Sequence, residues 1–497
     1  MTPPSPLFGI FLAVYLLALV GVGALKARKI KTQADFSLAG RGLPTFVLIG
    51  TLLATWIGTG SIFGNAEETN RVGLAGYLLP VAGASGIVAL YFLAGRIRSF
   101  GQFTVQDILE ARFGVGARIA GTVALLLAYV IIVSYQYRAG SAVLEYLYPD
   151  LDPSLAVIGV AAFVILYTAL AGMFSVAYTD VANGILMLLG IGIAIPILLG
   201  QTGGFSAAVD SLELSQQNLF GTYGSIDLIN VLLPPFLLVL GDANMVQRFF
   251  AAKSPAAARR SAGWMLVGVL VLECAIITVA LLGTALVAQG QLEQPDNPAH
   301  IIIHLAFQKL PLVIGAMLVA TVVAIVVSTA DSYLLSPATS LVRDVYHRFL
   351  RPGADETEMV LAGRGIVVVL GLLALALAFA SSEFFSVALF AYTIYGASVT
   401  PVFLAAFFWR RATAAGALAS MIAGTLTAIG WKILTEHADL LRGGGDSALA
   451  DFGDRLASYG VDAVLPAAVG SIATLILVSL ATKPQPPEVY ERLNAGS

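Results

Sequence analysis

The sequence predicts an all-α integral membrane protein with about 13 transmembrane helices. Hydrophobic residues make up 58% of the 497 residues and charged residues only 11%, whereas soluble domains average about 45–50% and about 25%. The apolar residues also occur in runs of about 20, the length that crosses a bilayer as a helix. This composition excludes a disordered chain, a nucleic-acid binder and an ordinary cytosolic enzyme.

Thirteen apolar segments are long enough to span a membrane. They lie at 7–25, 43–68, 73–95, 118–148, 153–172, 175–200, 226–250, 261–289, 306–338, 362–381, 385–409, 413–435 and 462–481. The first segment does not resemble a cleavable signal peptide, because no basic residue precedes it and no small-residue cleavage site follows it.

The basic residues predict the orientation. Of the 27 Lys and Arg residues, 21 fall in one set of alternating connections and 5 in the opposite set, while Arg138 lies inside a span. Arg112, Arg118 and Arg248 are counted among the 21. Because cytoplasmic connections are rich in Lys and Arg, we expect a multi-pass protein of the cell (inner) membrane with its N-terminus outside and its C-terminus inside.

Two spans carry residues that interrupt helices. The second contains three glycines near mid-depth, Gly58, Gly60 and Gly64, and the seventh contains Pro234, Pro235 and Gly241. Interrupted helices at matching positions in two halves are typical of inverted-repeat transporters, although glycines also serve helix packing. The pattern predicts one polytopic domain with an extra first helix at 7–25, repeats at 43–200 and 226–409, and two extra helices at 413–481.

Charged residues inside the bilayer are functional candidates, because each is costly unless it is paired or solvated. The sequence places four of them within spans: Arg138, Asp180, Glu273 and Asp331. Asp242 and Glu145 lie nearer span ends, where contact with water explains them.

The ninth span has an oxygen-rich face. Ser328, Asp331 and Ser332 recur at i, i+3 and i+4 and so share one side of a helix, and Thr329 adjoins them. Hard cations prefer oxygen ligands, so this face suits Na⁺. Serine and threonine hydroxyls also bond to carbonyls of their own helix, but that does not explain a buried aspartate.

Five segments together resemble the sodium:solute symporter family. They are Ala171–Asp180, Gly241–Lys253, Ser328–Ser332, Leu341–Tyr346 and Trp409–Ser420. The resemblance implies the five-plus-five inverted-repeat fold of the bacterial leucine transporter and uptake of a small-molecule substrate by alternating access, with Na⁺ as the coupling ion.

The resemblance also implies the ion sites. The main sodium site would use carbonyls of Ala54, Ile57 and Ile325 and the hydroxyls of Ser328 and Thr329. A possible second sodium site would use Asp180, Asp331 and Ser332, with Ser328 nearby. Asp331 stands where some members have a hydroxyl, so this second site would be stronger or would take a proton.

The substrate is expected beside the broken helices. The predicted contacts are Thr55, Trp56, Gly58, Thr59, Ser61, Tyr77, Gln136, Arg138, Tyr392 and Tyr395. Arg138 favours a carboxylate-bearing substrate, because a guanidinium binds carboxylates in bidentate fashion and a sialic-acid-transporting branch of the family has an arginine at about this place. Alternatively, Arg138 pairs with Glu67, Glu68 or Glu145. The third span lacks acids, which disfavours a neutral hexose.

Two alternative functions remain open. One is a proton-coupled transporter of the same fold, with Asp180 and Asp331 as proton carriers, and another is a solute-sensing receptor subunit. A membrane enzyme is not expected, because His300 and His304 lack further metal ligands and are expected at the surface. The expected partners are the substrate, sodium and the lipid bilayer, with no nucleic acid; the oligomeric state is left open.

Overall fold

The regular elements of the described chain are helices. The computed structural model describes residues 5–27, 30–379, 384–436 and 448–494. The α-helices are α1 (Pro6–Ala27), α2 (Gln33–Leu38), α3 (Thr45–Trp56), α4 (Asn65–Val72), α5 (Leu79–Phe100), α6 (Val105–Phe113), α7 (Val115–Leu147), α8 (Pro153–Thr202), α9 (Phe205–Asp210), α10 (Ser225–Gly241), α11 (Ala243–Ala251), α12 (Pro255–Ala288), α13 (Ile301–Gln308), α14 (Leu312–Leu341), α15 (Glu356–Ala378), α16 (Phe385–Phe408), α17 (Ala414–Glu436), α18 (Ala448–Ala457), α19 (Val464–Ala481) and α20 (Pro487–Asn494). Shorter 3₁₀ turns lie at Ala39–Arg41, Gly73–Leu78 and Pro298–His300, and π-helical turns at Gly60–Gly64 and Val342–Leu350.

Among these residues, 11 helices are long and apolar enough to cross a membrane. This confirms the predicted all-α membrane class, and each of the thirteen predicted segments overlaps a helix. The two numbers differ because α3 is too short to count and because α8 covers two predicted segments. The count of thirteen and the side of each terminus stay predictions.

The helix α8 reverses direction within its length. Its 50 residues would extend about 75 Å if straight, more than twice the thickness of the apolar bilayer core. Gly172 breaks it with a φ of 56°. The Tyr167 hydroxyl donates to Thr179 Oγ1 at 3.1 Å, although twelve residues of straight helix cover about 18 Å. The chain therefore turns back at Gly172, and α8 is a pair of antiparallel spans.

The second predicted span is interrupted, as its glycines predict. Helix α3 ends at Trp56, Ile57 has an extended backbone (φ −72°, ψ 92°), and helical structure resumes at Gly60. Gly58 permits a close approach to α14, because a Cβ there would lie 2.9 Å from the Thr329 methyl carbon. The last carbonyls of α3 thus face α14 without helical donors.

The seventh predicted span is interrupted at Asp242 (φ −56°, ψ 116°), between α10 and α11. The pair Pro234–Pro235 lies inside α10. The carboxylate of Asp242 accepts hydrogen bonds from Asn244 N–H at 2.7 Å and the Tyr129 hydroxyl at 2.6 Å. Asp242 is fully buried, so the expectation that it lies close to water was wrong. Hydrogen bonds from the backbone of Asn244 and from Tyr129 on α7 take the place of hydrogen bonds from water.

The two interrupted units meet at one end. Leu43 N–H donates to Ala251 O at 3.1 Å, and Lys253 N–H donates to Leu43 O at 3.0 Å, which joins the approach to α3 to the end of α11. Helix α14 packs on α3, α7 and α8 and is the most deeply buried candidate span in the described chain. Its oxygen-rich face therefore lies against the interruption of α3.

Some residues expected in connections or on the surface are buried. Arg112, Arg118 and Arg248 were counted as connecting-loop cations, yet each is less than 10% exposed. Carboxylates on α6 and just beyond α14 surround Arg118, and carbonyls of the α16–α17 connection accept from Arg112. His304, expected at the surface, is buried and packs against Tyr146.

Candidate functional site

Five oxygen atoms converge where α3 is interrupted. Ser328 Oγ on α14 lies 3.1 Å from the carbonyl oxygen of Ala54 and 3.2 Å from that of Ile325. Thr329 Oγ1 lies 3.4 Å from Ala54 O and 3.3 Å from Ile57 O. All five residues are buried. The structure thus brings together every residue predicted for the main sodium site.

The spacing of these oxygens suits a cation. A cation about 2.4 Å from each of two oxygens at right angles separates them by about 3.4 Å, if the Ca²⁺–oxygen distance is extended to Na⁺. The carbonyl end of α3 also carries the partial negative charge of a helix C-terminus. The cluster consists of neutral carbonyl and hydroxyl oxygens, with no carboxylate among these five.

The residues of the predicted second sodium site do not all meet. Asp180 Oδ2 accepts a hydrogen bond from Thr51 Oγ1 at 2.6 Å and lies 3.7 Å from Arg248 Nη2. Arg248 Nη2 also donates to Ser332 Oγ at 2.6 Å. Asp331 instead accepts a hydrogen bond from Thr168 on α8. Arg248 therefore joins Asp180 to Ser332, while Asp331 has a separate partner.

Two members of this cluster were missing from the predicted site. Arg248 was counted with the basic residues of a connection, and Thr51 was not singled out. The available signal was the position of Arg248 within Gly241–Lys253, one of the segments that carry the family resemblance. Asp180 Oδ1 is buried and has no hydrogen-bond partner among the described residues.

A small cavity of about 50 Å³ lies beside the interruption of α3. Its lining includes Trp56, Gly60, Ser61, Glu273 and Tyr392. The Glu273 carboxylate on α12 accepts hydrogen bonds from Trp56 Nε1 at 2.9 Å and from Ser61 Oγ at 3.1 Å. Glu273 was recognised as an intramembrane charge but not as a residue of this cavity.

Three of the predicted substrate contacts, Trp56, Ser61 and Tyr392, line the cavity. The others lie around it. Thr59 donates to Gln136, Thr55 lies 3.2 Å from Ser332 Oγ, and Tyr77 is hydrogen-bonded to Thr278 at 2.7 Å. Gly58 packs against Thr329, and Tyr395 is fully buried. Their contact with substrate stays a prediction.

Arg138 lies outside the lining of this cavity. It is half-buried, and no ion pair among the described residues includes it. Glu68, one expected partner, pairs instead with Arg71. Burial and then the positive charge of Arg138 lower the pKa of His300 to about 4, which places Arg138 near the 3₁₀ turn that precedes α13.

Interrupted helices beside a buried oxygen cluster and a cavity define a secondary active transporter. Known proteins agree with this class. The family model for the sodium:solute symporter family matches residues 36–424. The chain is 27% identical over 465 residues to the sodium/proline symporter of Haemophilus influenzae, covering 84% of this chain and 87% of that protein.

Two further likenesses cover nearly the whole chain. It is 25% identical over 500 residues to the osmoregulated proline transporter OpuE of Bacillus subtilis, covering 97% of this chain and 96% of that protein. The structure resembles a substrate-bound, outward-open Na⁺-coupled sialic acid symporter with a TM-score of 0.78 at 16% identity, covering 96% and 98% of the two chains.

The chain therefore belongs to the sodium:solute symporter family. It is a multi-pass membrane transporter, not an enzyme, and it couples the movement of a small solute to Na⁺. The expected fold class and coupling ion are thereby confirmed.

Proposed function

We propose that this protein imports a small carboxylate-bearing solute together with Na⁺ across the cell (inner) membrane by alternating access. The observation that carries the proposal is the buried oxygen cluster at the interruption of α3, directly beside a cavity that Trp56, Ser61 and Glu273 line. A cation bound there stabilises the arrangement of α3 against α14, and through it the shape of the cavity.

The main sodium site in this proposal consists of the carbonyls of Ala54, Ile57 and Ile325 and the hydroxyls of Ser328 and Thr329. The hydroxyl hydrogens would turn away from the carbonyls when a cation binds, because both kinds of oxygen then act as ligands. The 3.1–3.4 Å separations of these oxygens across the α3–α14 interface support this site.

The solute would bind in the cavity next to the start of the second helical segment, where Gly60 and Ser61 line it. Ser61 and Ile62 N–H already donate to Gly58 O. The N–H groups of Thr59 and Gly60 would therefore face the anionic group of the solute, as helix N-termini do in transporters with broken helices. The relatives named as proline transporters support a carboxylate, which proline carries. Trp56 and Tyr392 would contact the rest of the solute.

A second ion would have one oxygen available at Asp180. Asp180 Oδ1 has no hydrogen-bond partner among the described residues and so offers one ligand. Arg248, however, already supplies a positive charge between Asp180 and Ser332, and Asp331 faces Thr168. We propose that a second ion, if coupled, binds at Asp180 Oδ1.

The matched interruptions support an inverted repeat of 43–200 and 226–409, with extra helices at 7–25 and 413–481. Both interruptions fall in the first span of their half, after Trp56 and after Gly241. Inverted repeats of this kind alternate access by moving one group of helices against the other around the fixed site.

Uptake by purified protein in proteoliposomes tests the function. Radiolabelled L-proline should accumulate under an inward Na⁺ gradient and not under an equal K⁺ gradient. Cyclopentanecarboxylate, other small carboxylates and neutral sugars serve as competitors that report substrate class. Uptake of equal rate in both gradients would contradict sodium coupling by this protein, and competition by sugars alone would contradict the carboxylate.

A further inference from the structure

The cavity contains one acidic side chain that the sodium site does not use. Glu273 on α12 lines the cavity and is 5% exposed. No ion pair among the described residues includes it. A buried carboxylate is costly without a positive partner, so this side chain is suited to a cation that arrives in the cavity.

The hydrogen bonds of Glu273 orient it for a ligand. Trp56 Nε1 and Ser61 Oγ both donate to Oε1, while the described residues place no such donor on Oε2. Two donors on one oxygen offset part of the cost of burying the carboxylate. They also fix its direction, so that Oε2 remains as the acceptor for a charged donor.

An adjoining cavity carries an excess of acids. It has a volume of about 300 Å³ and shares Val231, Phe385 and Leu389 with the cavity beside α3. Its charged lining residues are Glu68, Arg71, Asp227, Lys432, Glu436 and Asp462. The ion pairs Arg71–Glu68 and Lys432–Glu436 are each neutral. The remaining charges of the lining are those of two aspartates, Asp227 and Asp462. A cleft lined by one sign of charge concentrates solutes of the opposite sign.

We propose that Glu273 accepts a positively charged nitrogen of the transported solute, a protonated amine. The inference rests on the proposed function, because it takes the cavity beside α3 as the solute site. Ser61 lies between the two ends of such a solute, since it is the second residue of the helical segment proposed for the carboxylate and its hydroxyl donates to Glu273. The solute class is then a small zwitterion, such as an amino or imino acid.

Glu273→Gln tests this inference with little change of shape, because the amide oxygen can still accept from Trp56 and Ser61. Purified full-length protein in detergent is heated with Na⁺ or K⁺ and increasing L-proline. Bound ligand raises the unfolding midpoint according to its concentration over Kd. We expect the half-saturating L-proline concentration to rise at least about 30-fold in the variant, while stabilisation by Na⁺ alone is unchanged.

Solutes that match proline in part separate the effect of its amine charge on binding from the effect of its shape. Cyclopentanecarboxylate keeps the ring and carboxylate of proline without the amine, and pyrrolidine keeps the amine; L-lysine, sialic acid and glucose complete the panel. Cys274→Ala, the next residue of α12 and not part of the cavity lining, is the control variant. We expect amine-bearing solutes to stabilise the wild type and Cys274→Ala, and amine-free solutes to stabilise neither.

Three results would overturn the inference. The first is an L-proline affinity in Glu273→Gln equal to that of the wild type. The second is stabilisation of the wild type by amine-free solutes but by none of the amine-bearing ones. The third is loss of Na⁺ stabilisation in the variant without solute, which would make Glu273 a sodium ligand. A wild type that Na⁺ does not stabilise would instead count against the proposed sodium site, so the two failures are distinguishable.

Discussion

The Arg248 guanidinium lies 3.7 Å from the Asp180 carboxylate in the interior of the helix bundle, and both side chains are fully buried. The same guanidinium donates to Ser332 and to Thr51. A permanent positive charge therefore lies between two of the oxygens expected to bind a second sodium ion. Any ion that binds there must do so beside this charge, which weakens its affinity.

Replacement of Asp180 by Asn is expected to destabilise the protein. Breaking a buried ion pair by removing one partner typically costs about 3–5 kcal/mol, because the other charge is left uncompensated. The double variant Asp180→Asn with Arg248→Met should be more stable than Asp180→Asn alone. Unfolding midpoints of the four proteins form a double-mutant cycle, and additive effects would show that the pair is not coupled.

The same Asp180→Asn variant tests the second sodium site. If Asp180 binds an ion, the ratio of ²²Na⁺ to solute transported into proteoliposomes should fall by one in the variant. Asp331→Asn serves as a comparison, because Asp331 faces Thr168 rather than Arg248. An unchanged ratio in Asp180→Asn would remove Asp180 from sodium coordination.

The Thr329 hydroxyl should contribute directly to Na⁺ affinity. Thr329→Ala removes one of five oxygens, and we expect the Na⁺ concentration for half-maximal uptake to rise about tenfold or more, since a hydrogen bond to a charged group contributes about 1.5–3 kcal/mol. Thr329→Ser keeps the hydroxyl and should stay near wild type. Thr321→Ala is the control on α14, since that hydroxyl bonds to carbonyls away from α3; equal effects in both alanine variants would contradict the site.

The sequence was sufficient to predict structural features that depend on residues close together in the chain. Glycine spacing predicted the interruption of α3, and the i, i+3, i+4 spacing of Ser328, Asp331 and Ser332 predicted an oxygen-rich face on α14. The carbonyl partners Ala54 and Ile57 came from the family resemblance. The interruption of the seventh span was predicted as well, although its position at Asp242 follows the buried tyrosine partner and not the prolines.

Features that depend on contacts between helices distant in the chain could not be predicted from the sequence. Arg248 lies near Lys253, Arg259 and Arg260 and is locally indistinguishable from a loop cation; only the approach of Asp180 from α8 buries it. Glu273 lies in α12, a helix that is apolar on all sides. Such a helix has no polar face to indicate which residue points into the cavity.

Gly58 is expected to be essential for the sodium site because of its size. A methyl group there would lie 2.9 Å from Thr329 Cγ2 and 3.1 Å from Thr329 Oγ1, closer than ordinary van der Waals contact. Gly58→Ala should therefore separate α3 from α14 and reduce Na⁺ affinity about tenfold or more, a cost of about 1.4 kcal/mol. Gly192→Ala, where an added Cβ has no neighbour within 4 Å, should behave as wild type; equal Na⁺ affinity in both variants would contradict the prediction.

His300 should make the stability of the protein fall in acid. Burial and the nearby charge of Arg138 lower the pKa of His300 from 6.5 to about 4 in the folded protein, so the folded state favours the neutral ring. The unfolded chain takes up a proton below about pH 6.5, and stability is lost as the pH falls from there towards 4, by up to about 3 kcal/mol. In His300→Gln the unfolding midpoint should depend less on pH over this range, whereas His347→Gln should keep the pH dependence of the wild type. A slope that is the same in the wild type and in His300→Gln would show that other groups cause the acid sensitivity.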